Sequence, residues 1–145
     1  MAEGDGGGPN GDGGDVCTVE VHGSQFKLQS RYTIVEPVGQ GAYGIVVAAK
    51  DNHTDATVAI KKIECQFQHL TFTRRTLREL RILRYLQHDN VLGLTGLFVP
   101  GGRHDFDDIY VFTELLETDL ASILKSPQGL SDDHCRFFLY QIFRG

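Results

Sequence analysis

Three glycines, Gly39, Gly41 and Gly44, fall between two runs of β-branched residues, and that placement constrains the fold more than any other feature of the chain. A G-x-G-x-x-G leading from a strand into a helix is a dinucleotide fingerprint, with an acid about 20 residues further on to meet the ribose. Glu64 stands where that acid would be expected. After Gly44, however, the chain runs through Ile45-Val46-Val47, a polar turn at Asp51-Asn52-His53-Thr54-Asp55, and another β-rich run from Thr57 to Glu64. The glycines therefore join two strands, and the doubly wound alternative fails. A Walker A loop fails too, because Ile45 comes after Gly44 where Lys-Ser or Lys-Thr is required.

Glycine lets a backbone approach phosphate closely and adopt dihedrals that a side chain forbids. Here the pattern continues as G-x-G-x-x-G-x-V through Val46, and Val58-Ala59-Ile60-Lys61 brings its lysine fifteen residues after Val46. Taken alone, the glycines would be a turn and Lys61 a solvated side chain on a strand. Their order and spacing are what carry information.

The rest of the chain arranges itself around this segment. Residues 1–15 combine glycine with Asp, Asn and Pro and offer almost nothing to bury, so they read as a disordered tail. Val19 and Val21, then Phe26 and Leu28, alternate with polar residues around His22-Gly23-Ser24, which predicts a hairpin over 16–31. Strands are expected at Tyr32 to Gly39, Ile45 to Lys50, Thr57 to Glu64, Val91 to Val99 and Ile109 to Thr113. Between the third and fourth, Thr73 to Leu86 changes period, with Leu77, Leu80, Leu83 and Leu86 as a helical stripe and Arg74, Arg75, Arg78, Arg81 and Arg84 over the remainder. Thr118 or Asp119 can cap a short helix ending near Lys125, and Ser131, with Asp132 and Asp133 next to it, starts a last one.

Charge and cysteines narrow the function classes. The net charge of -5 comes mostly from Glu3, Asp5, Asp12 and Asp15; without them fifteen acids face fourteen bases. A near-neutral domain has no electrostatic footprint for nucleic acid or an anionic membrane. Cys17, Cys65 and Cys135 show no C-x-x-C spacing, so no metal site is expected and three reduced thiols point to a cytoplasmic or nuclear protein. Neither a signal peptide nor a membrane span is visible.

From Gly39 to Gly145 the chain resembles a mitogen-activated protein kinase. GQGAYGIVVAAKD, VAIKKI, RRTLRELRIL, IYVFTELLETDLASIL and FFLYQIFRG carry the resemblance, and TLRELRIL and LLETDL are more specific than the glycine loop. It implies an α+β fold: a kinase small lobe at 32–113, with a five-stranded antiparallel sheet and one helix, a hinge at 114–118, and the first helices of a large lobe at 119–145. It also implies an ATP site. Lys61 would pair with the α- and β-phosphates and Glu79 would hold that lysine. Gly39, Gly41 and Gly44 would cover the phosphates, while Val38, Val46 and Ala59 would roof the adenine. Thr113 resembles the gatekeeper; the carbonyl of Glu114 and the amide of Leu116 would meet adenine, and Asp119 the ribose. Arg75 and Arg78 match positions that meet a phosphothreonine of the activation loop, a task suited to guanidinium. For the other helix arginines a solvated outer face is the simpler reading.

Phosphoryl transfer further needs a catalytic aspartate, Mg²⁺ ligands and an activation loop. Arg103-His104-Asp105 is not H-R-D, Asp105-Phe106-Asp107 is not D-F-G, and Thr113-Glu114-Leu115 is not T-x-Y. The expectation is therefore a piece of a longer enzyme, inactive by itself, whose complete form uses Mg-ATP, an upstream mitogen-activated protein kinase kinase and protein substrates. A stand-alone, non-catalytic nucleotide-binding or kinase-partner module is the alternative.

Overall fold

The computed structural model describes residues 15–41, 44–64, 69–101 and 106–145. The disordered tail expected at 1–15 lies almost wholly outside them, as do Ala42, Tyr43, Cys65 and the Arg103-His104-Asp105 run.

The element order is β1 (Val16–Val21), β2 (Ser24–Gln29), β3 (Tyr32–Gly41), β4 (Gly44–Asp51), β5 (Thr57–Glu64), α1 (Leu70–Tyr85), β6 (Leu94–Phe98), β7 (Asp108–Glu114), α2 (Leu120–Lys125) and α3 (Asp132–Arg144). β1 and β2 form a two-stranded sheet, and β3-β4-β5-β7-β6 is a five-stranded antiparallel sheet. The α+β architecture inferred from the sequence is the one observed. No helix among the described residues is long and apolar enough to cross a membrane.

The hairpin turn is built as its residues dictate. His22 and Gly23 both have positive φ, 49° and 75°, the pair of left-handed conformations that a two-residue turn needs to match strand twist. Alternation then sends Val21, Phe26 and Leu28 to one side, where they meet Ile45, Val47, Ala49, Ile60, Tyr110 and Phe112 of the large sheet. Phe26 packs edge-on against Tyr110, with ring centroids 5.8 Å apart. Burying a side chain of that size is worth about 1.5–3 kcal/mol. The core therefore occupies the hairpin side of the five-stranded sheet and leaves the other side to the helix and the site.

Two bulges shape β3. Its register with β4 slips between Ile34 and Glu36 and again between Pro37 and Gly39, so Val35 and Val38 are extra residues on an edge strand. Both valines are exposed, as is the whole edge strand from Val35 to Gly41. Pro37 is tolerated there because β3 has a neighbour on one side only.

Helix α1 departs from expectation in two respects. It starts at Leu70, because Thr73 sits inside the first turn with its hydroxyl donating back to the His69 carbonyl at 3.3 Å, and no side chain caps the helix. The leucine stripe is only half its inner face: Leu80 and Leu83 are half-buried, while Leu77 and Leu86 are exposed and Thr76 is the one fully buried residue of the helix. A spacing of three drifts around a helix of 3.6 residues per turn. The side turned to the sheet is instead Phe72, Thr76, Leu80 and Leu83, which are buried or half-buried.

β6 is shorter than the sequence suggested. His88 and Val91 close a tight turn through a Val91 N–H to His88 carbonyl bond of 3.0 Å, so the strand begins only at Leu94. The last two helices start as expected. Asp119 caps α2 by accepting from the Ser122 amide at 2.8 Å. Ser131 caps α3 in a reciprocal box, where His134 takes the place usually held by Glu or Gln. Phe137, Leu139, Tyr140, Ile142 and Phe143 of α3 are all exposed.

Candidate nucleotide site

Register decides which predicted residues share a face. Successive side chains on a strand point to opposite sides, and Ile45, Val47, Ala49 and Ile60 are committed to the core. Val46 pairs with Lys61, which pairs with Val111; Ala48 pairs with Ala59, which pairs with Thr113. Both rungs lie on the face away from the hairpin. The sheet thus brings Val46, Ala59, Lys61 and Thr113 together, and Gly39 joins the first rung opposite Val46. Val38 arrives next to it by the bulge.

Lys61 reaches across to α1. Its Nζ lies 3.0 Å from Glu79 Oε1, with the two side chains 31% and 44% exposed. An ion pair this open to water contributes about 0–1 kcal/mol to stability. Its effect is to hold the ammonium in one place.

The glycines divide into two kinds. At Gly44, where φ is +135°, an added Cβ would stand 1.9 Å from the Lys62 carbonyl oxygen, so glycine is required there by the close approach of two strands. At Gly39 and Gly41 an added Cβ would meet nothing within 4 Å. The packing gives no reason for glycine at those two positions, and the space above them is open to a ligand. That fits a triphosphate lying along the loop with Lys61 at its edge.

The hinge residues sit less simply. Glu114 ends β7, opposite Val58, and its carbonyl accepts from the Thr113 hydroxyl at 3.1 Å. Leu116 is exposed. The Asp119 carboxylate is held below its ordinary pKa, first by the Ser122 amide and then by the Ser122 hydroxyl at 2.9 Å. Glu114, Leu116 and Asp119 line a hollow of about 390 Å³ whose other walls include Leu92, Ile123 and Phe138. Val38, Val46, Ala59 and Lys61 do not border that hollow. The structure therefore presents two adjoining surfaces, a roofed open face and a hinge hollow.

Arg75 and Arg78 are both exposed on α1. Arg75 lies on the Lys61 side, lining with Lys61, Ile63, Thr76 and Glu79 a space of about 30 Å³. Among the described residues no three His, Cys, Asp or Glu side chains converge as metal ligands. None of the described residues is assigned to Mg²⁺.

Two buried charged groups were not singled out in the sequence. Asp51 accepts a two-pronged bond from Arg31, at 2.7 and 2.5 Å, and further bonds from the His53 amide and the Thr54 hydroxyl. The Arg31 bond is the main reason its carboxyl is held far below the usual range. Lys62 is 5% exposed and turned to the hairpin side. The signal for it was present: of two consecutive lysines on one strand, one must point away from the site.

Comparison with known proteins agrees with this geometry. A family profile described as Protein kinase domain matches residues 32–145. The chain is 50% identical over 131 residues to "Extracellular signal-regulated kinase 1" of Dictyostelium discoideum, covering 90% of this chain and 25% of that protein. It is 48% identical over 120 residues to "Mitogen-activated protein kinase 3" of Oryza sativa subsp. japonica, covering 83% of this chain and 32% of that protein. For "Mitogen-activated protein kinase 4" of Arabidopsis thaliana the figures are 44% over 134 residues, 92% and 36%. The chain thus spans between a quarter and somewhat over a third of the length of these curated relatives. With its five-stranded sheet, glycine loop and Lys61–Glu79 pair, the chain belongs to the protein kinase family, and its likeness is to the small lobe and the start of the large lobe of mitogen-activated protein kinases.

Proposed function

We propose that this chain is the ATP-binding portion of a mitogen-activated protein Ser/Thr kinase, an enzyme that in complete form transfers the γ-phosphate of ATP to protein Ser or Thr. The observation that carries the proposal is the Lys61–Glu79 pair at 3.0 Å, placed by strand register on the same face as Val46, Ala59 and Thr113. ATP when bound supplies the phosphoryl group. Lys61 meets its α- and β-phosphates, and Glu79 keeps the ammonium from swinging into solvent. The open backbone of Gly39 and Gly41 lets phosphate approach, while Val38, Val46 and Ala59 cover the base. Thr113 limits how deep the base can enter, and Glu114 and Leu116 offer it backbone partners.

In the complete kinase an upstream mitogen-activated protein kinase kinase and protein substrates are the partners, and Arg75 and Arg78 receive a phosphothreonine. The sequence carries neither H-R-D nor D-F-G, so the 145-residue chain is expected to transfer nothing and, with phosphate held only by Lys61 and backbone amides open to solvent, to bind nucleotide weakly. Its affinity for Mg-ATP is expected to be millimolar or weaker, about -4 kcal/mol. The test is calorimetry alongside transfer from labelled Mg-ATP to a basic protein. Weak binding lost in Lys61→Met, with no transfer by either protein, is the expected result. Binding that survives Lys61→Met unchanged overturns the reading.

A further inference from the structure

Lys62 carries a charge into the buried side of the sheet. A buried ammonium loses its hydration, and well-packed apolar residues often replace such groups without loss. Its environment is nevertheless built for it. The Nζ donates to Ser24 Oγ and to the Gln25 carbonyl, both at 2.9 Å, and pairs with Asp108 at 3.2 Å and Glu64 at 3.5 Å. It also lies 5.9 Å from the centre of the Phe26 ring. One side chain on β5 thereby grips the hairpin, the start of β7 and its own strand.

The neighbouring residue is Lys61. Because consecutive strand residues project to opposite faces, any roll of β5 about its axis moves both ammonium groups at once. The far partner gives less restraint than a fully packed helix would: α1 buries only Thr76 completely and otherwise meets the sheet through half-buried Phe72, Leu80 and Leu83. Holding Lys61 Nζ within 3.0 Å of Glu79 therefore depends chiefly on β5. The same residue meets the glycine loop, since the Lys62 carbonyl is the atom against which Gly44 packs.

We propose that Lys62 is a positioning residue: its clamp on Ser24, Gln25 and Asp108 fixes the roll of β5 and so presents Lys61 to Glu79 and to nucleotide phosphate. This rests on reading Lys61 as the phosphate-binding lysine, but the clamp can be tested with no nucleotide present. The probe is acylation of lysines in the native 145-residue chain by a small activated acetate, with each site tracked by mass spectrometry and Lys125 as internal reference.

Lys62→Met raises the rate at Lys61 roughly threefold to fivefold relative to Lys125, the scale of one exposed ion pair lost. Glu79→Gln raises it similarly. In the Glu79→Gln background Lys62→Met adds little, because both act on one pair. Asp51→Asn breaks the other buried ion pair, and leaves the Lys61 rate unchanged even where it lowers stability as much. Ser24→Ala removes a single clamp partner and gives a smaller rise, which keeps the test open if Lys62→Met does not fold. An unchanged Lys61 rate in Lys62→Met, an equal rise in the Glu79→Gln background, or an equal rise in Asp51→Asn each overturns the proposal. Slowing of Lys61 acylation by Mg-ATP is a separate arm that bears only on nucleotide binding.

Discussion

Tyr110→Phe isolates one atom that fastens the hairpin to the sheet. The Tyr110 ring is fully buried between Phe26 and Phe98, and its hydroxyl accepts the Lys27 amide at 2.9 Å. Phenylalanine keeps the ring contacts and loses the acceptor. Deleting that bond and leaving the Lys27 amide unpaired costs about 1–3 kcal/mol near neutral pH. Alkali gives the second half of the test. Burial pushes the phenol up to about 12 from 10.0, with the charges of Asp108 and Glu64 adding to the effect and the Lys27 bond opposing it. A phenol that ionises later in the fold than in the unfolded chain favours the fold below pH 10. That contribution is lost as pH rises from about 10 to 12, at ~1.4 kcal/mol per pH unit. Urea unfolding monitored by circular dichroism at pH 7, 9, 10 and 11 should show Tyr110→Phe less stable at pH 7 and the gap between the two proteins narrowing by about 1.4 kcal/mol by pH 11. Curves that stay parallel from pH 9 to 11 would refute the reasoning, because Tyr110 would then not be held neutral by the core.

Gly44→Ala forces a methyl group into the Lys62 carbonyl, so it should cost about 1–3 kcal/mol of stability or more, read by thermal unfolding, whereas Gly41→Ala should leave the melting temperature within about 2 °C. Asp51 favours the fold above the ordinary carboxylate range and loses that effect as pH falls through its depressed folded value; stability should fall below about pH 4, and Asp51→Asn should flatten that slope in acid titrations. Phe137, Tyr140, Ile142 and Phe143 leave an apolar surface on α3, so the 145-residue chain should self-associate in light scattering, and Phe137→Asp with Phe143→Asp should shift it toward monomer.

The parts of this fold legible in the sequence were those governed by period and by backbone-specific residues. The glycines between two β-branched runs marked the β3-β4 junction, and His22-Gly23 announced its turn through the need for positive φ. Site residues spread over four strands could be grouped because alternation and antiparallel register leave little freedom once the core face is known. What escaped depended on contacts beyond the local chain. No pattern in Tyr32 to Gly41 marks Val35 and Val38 as bulged, since a bulge shows only against the partner strand. The leucines of α1 marked only half of its inner face, Leu80 and Leu83, because spacing alone cannot say where the sheet lies. The burial of Lys62 depends on β2, which covers it from a distant part of the chain.

The central claim is that a nucleotide lies on the face shared by Val46, Ala59, Lys61 and Thr113. Its most direct test is backbone amide mapping of the ¹⁵N-labelled chain during titration with Mg-ATP to several times the expected millimolar constant. The account predicts shifts at Gly39, Gly41, Gly44, Lys61 and Leu116 that trace one binding curve and vanish in Lys61→Met. Shifts confined to Leu92, Ile123 and Phe138 around the hinge hollow, or an unchanged pattern in Lys61→Met, would contradict it.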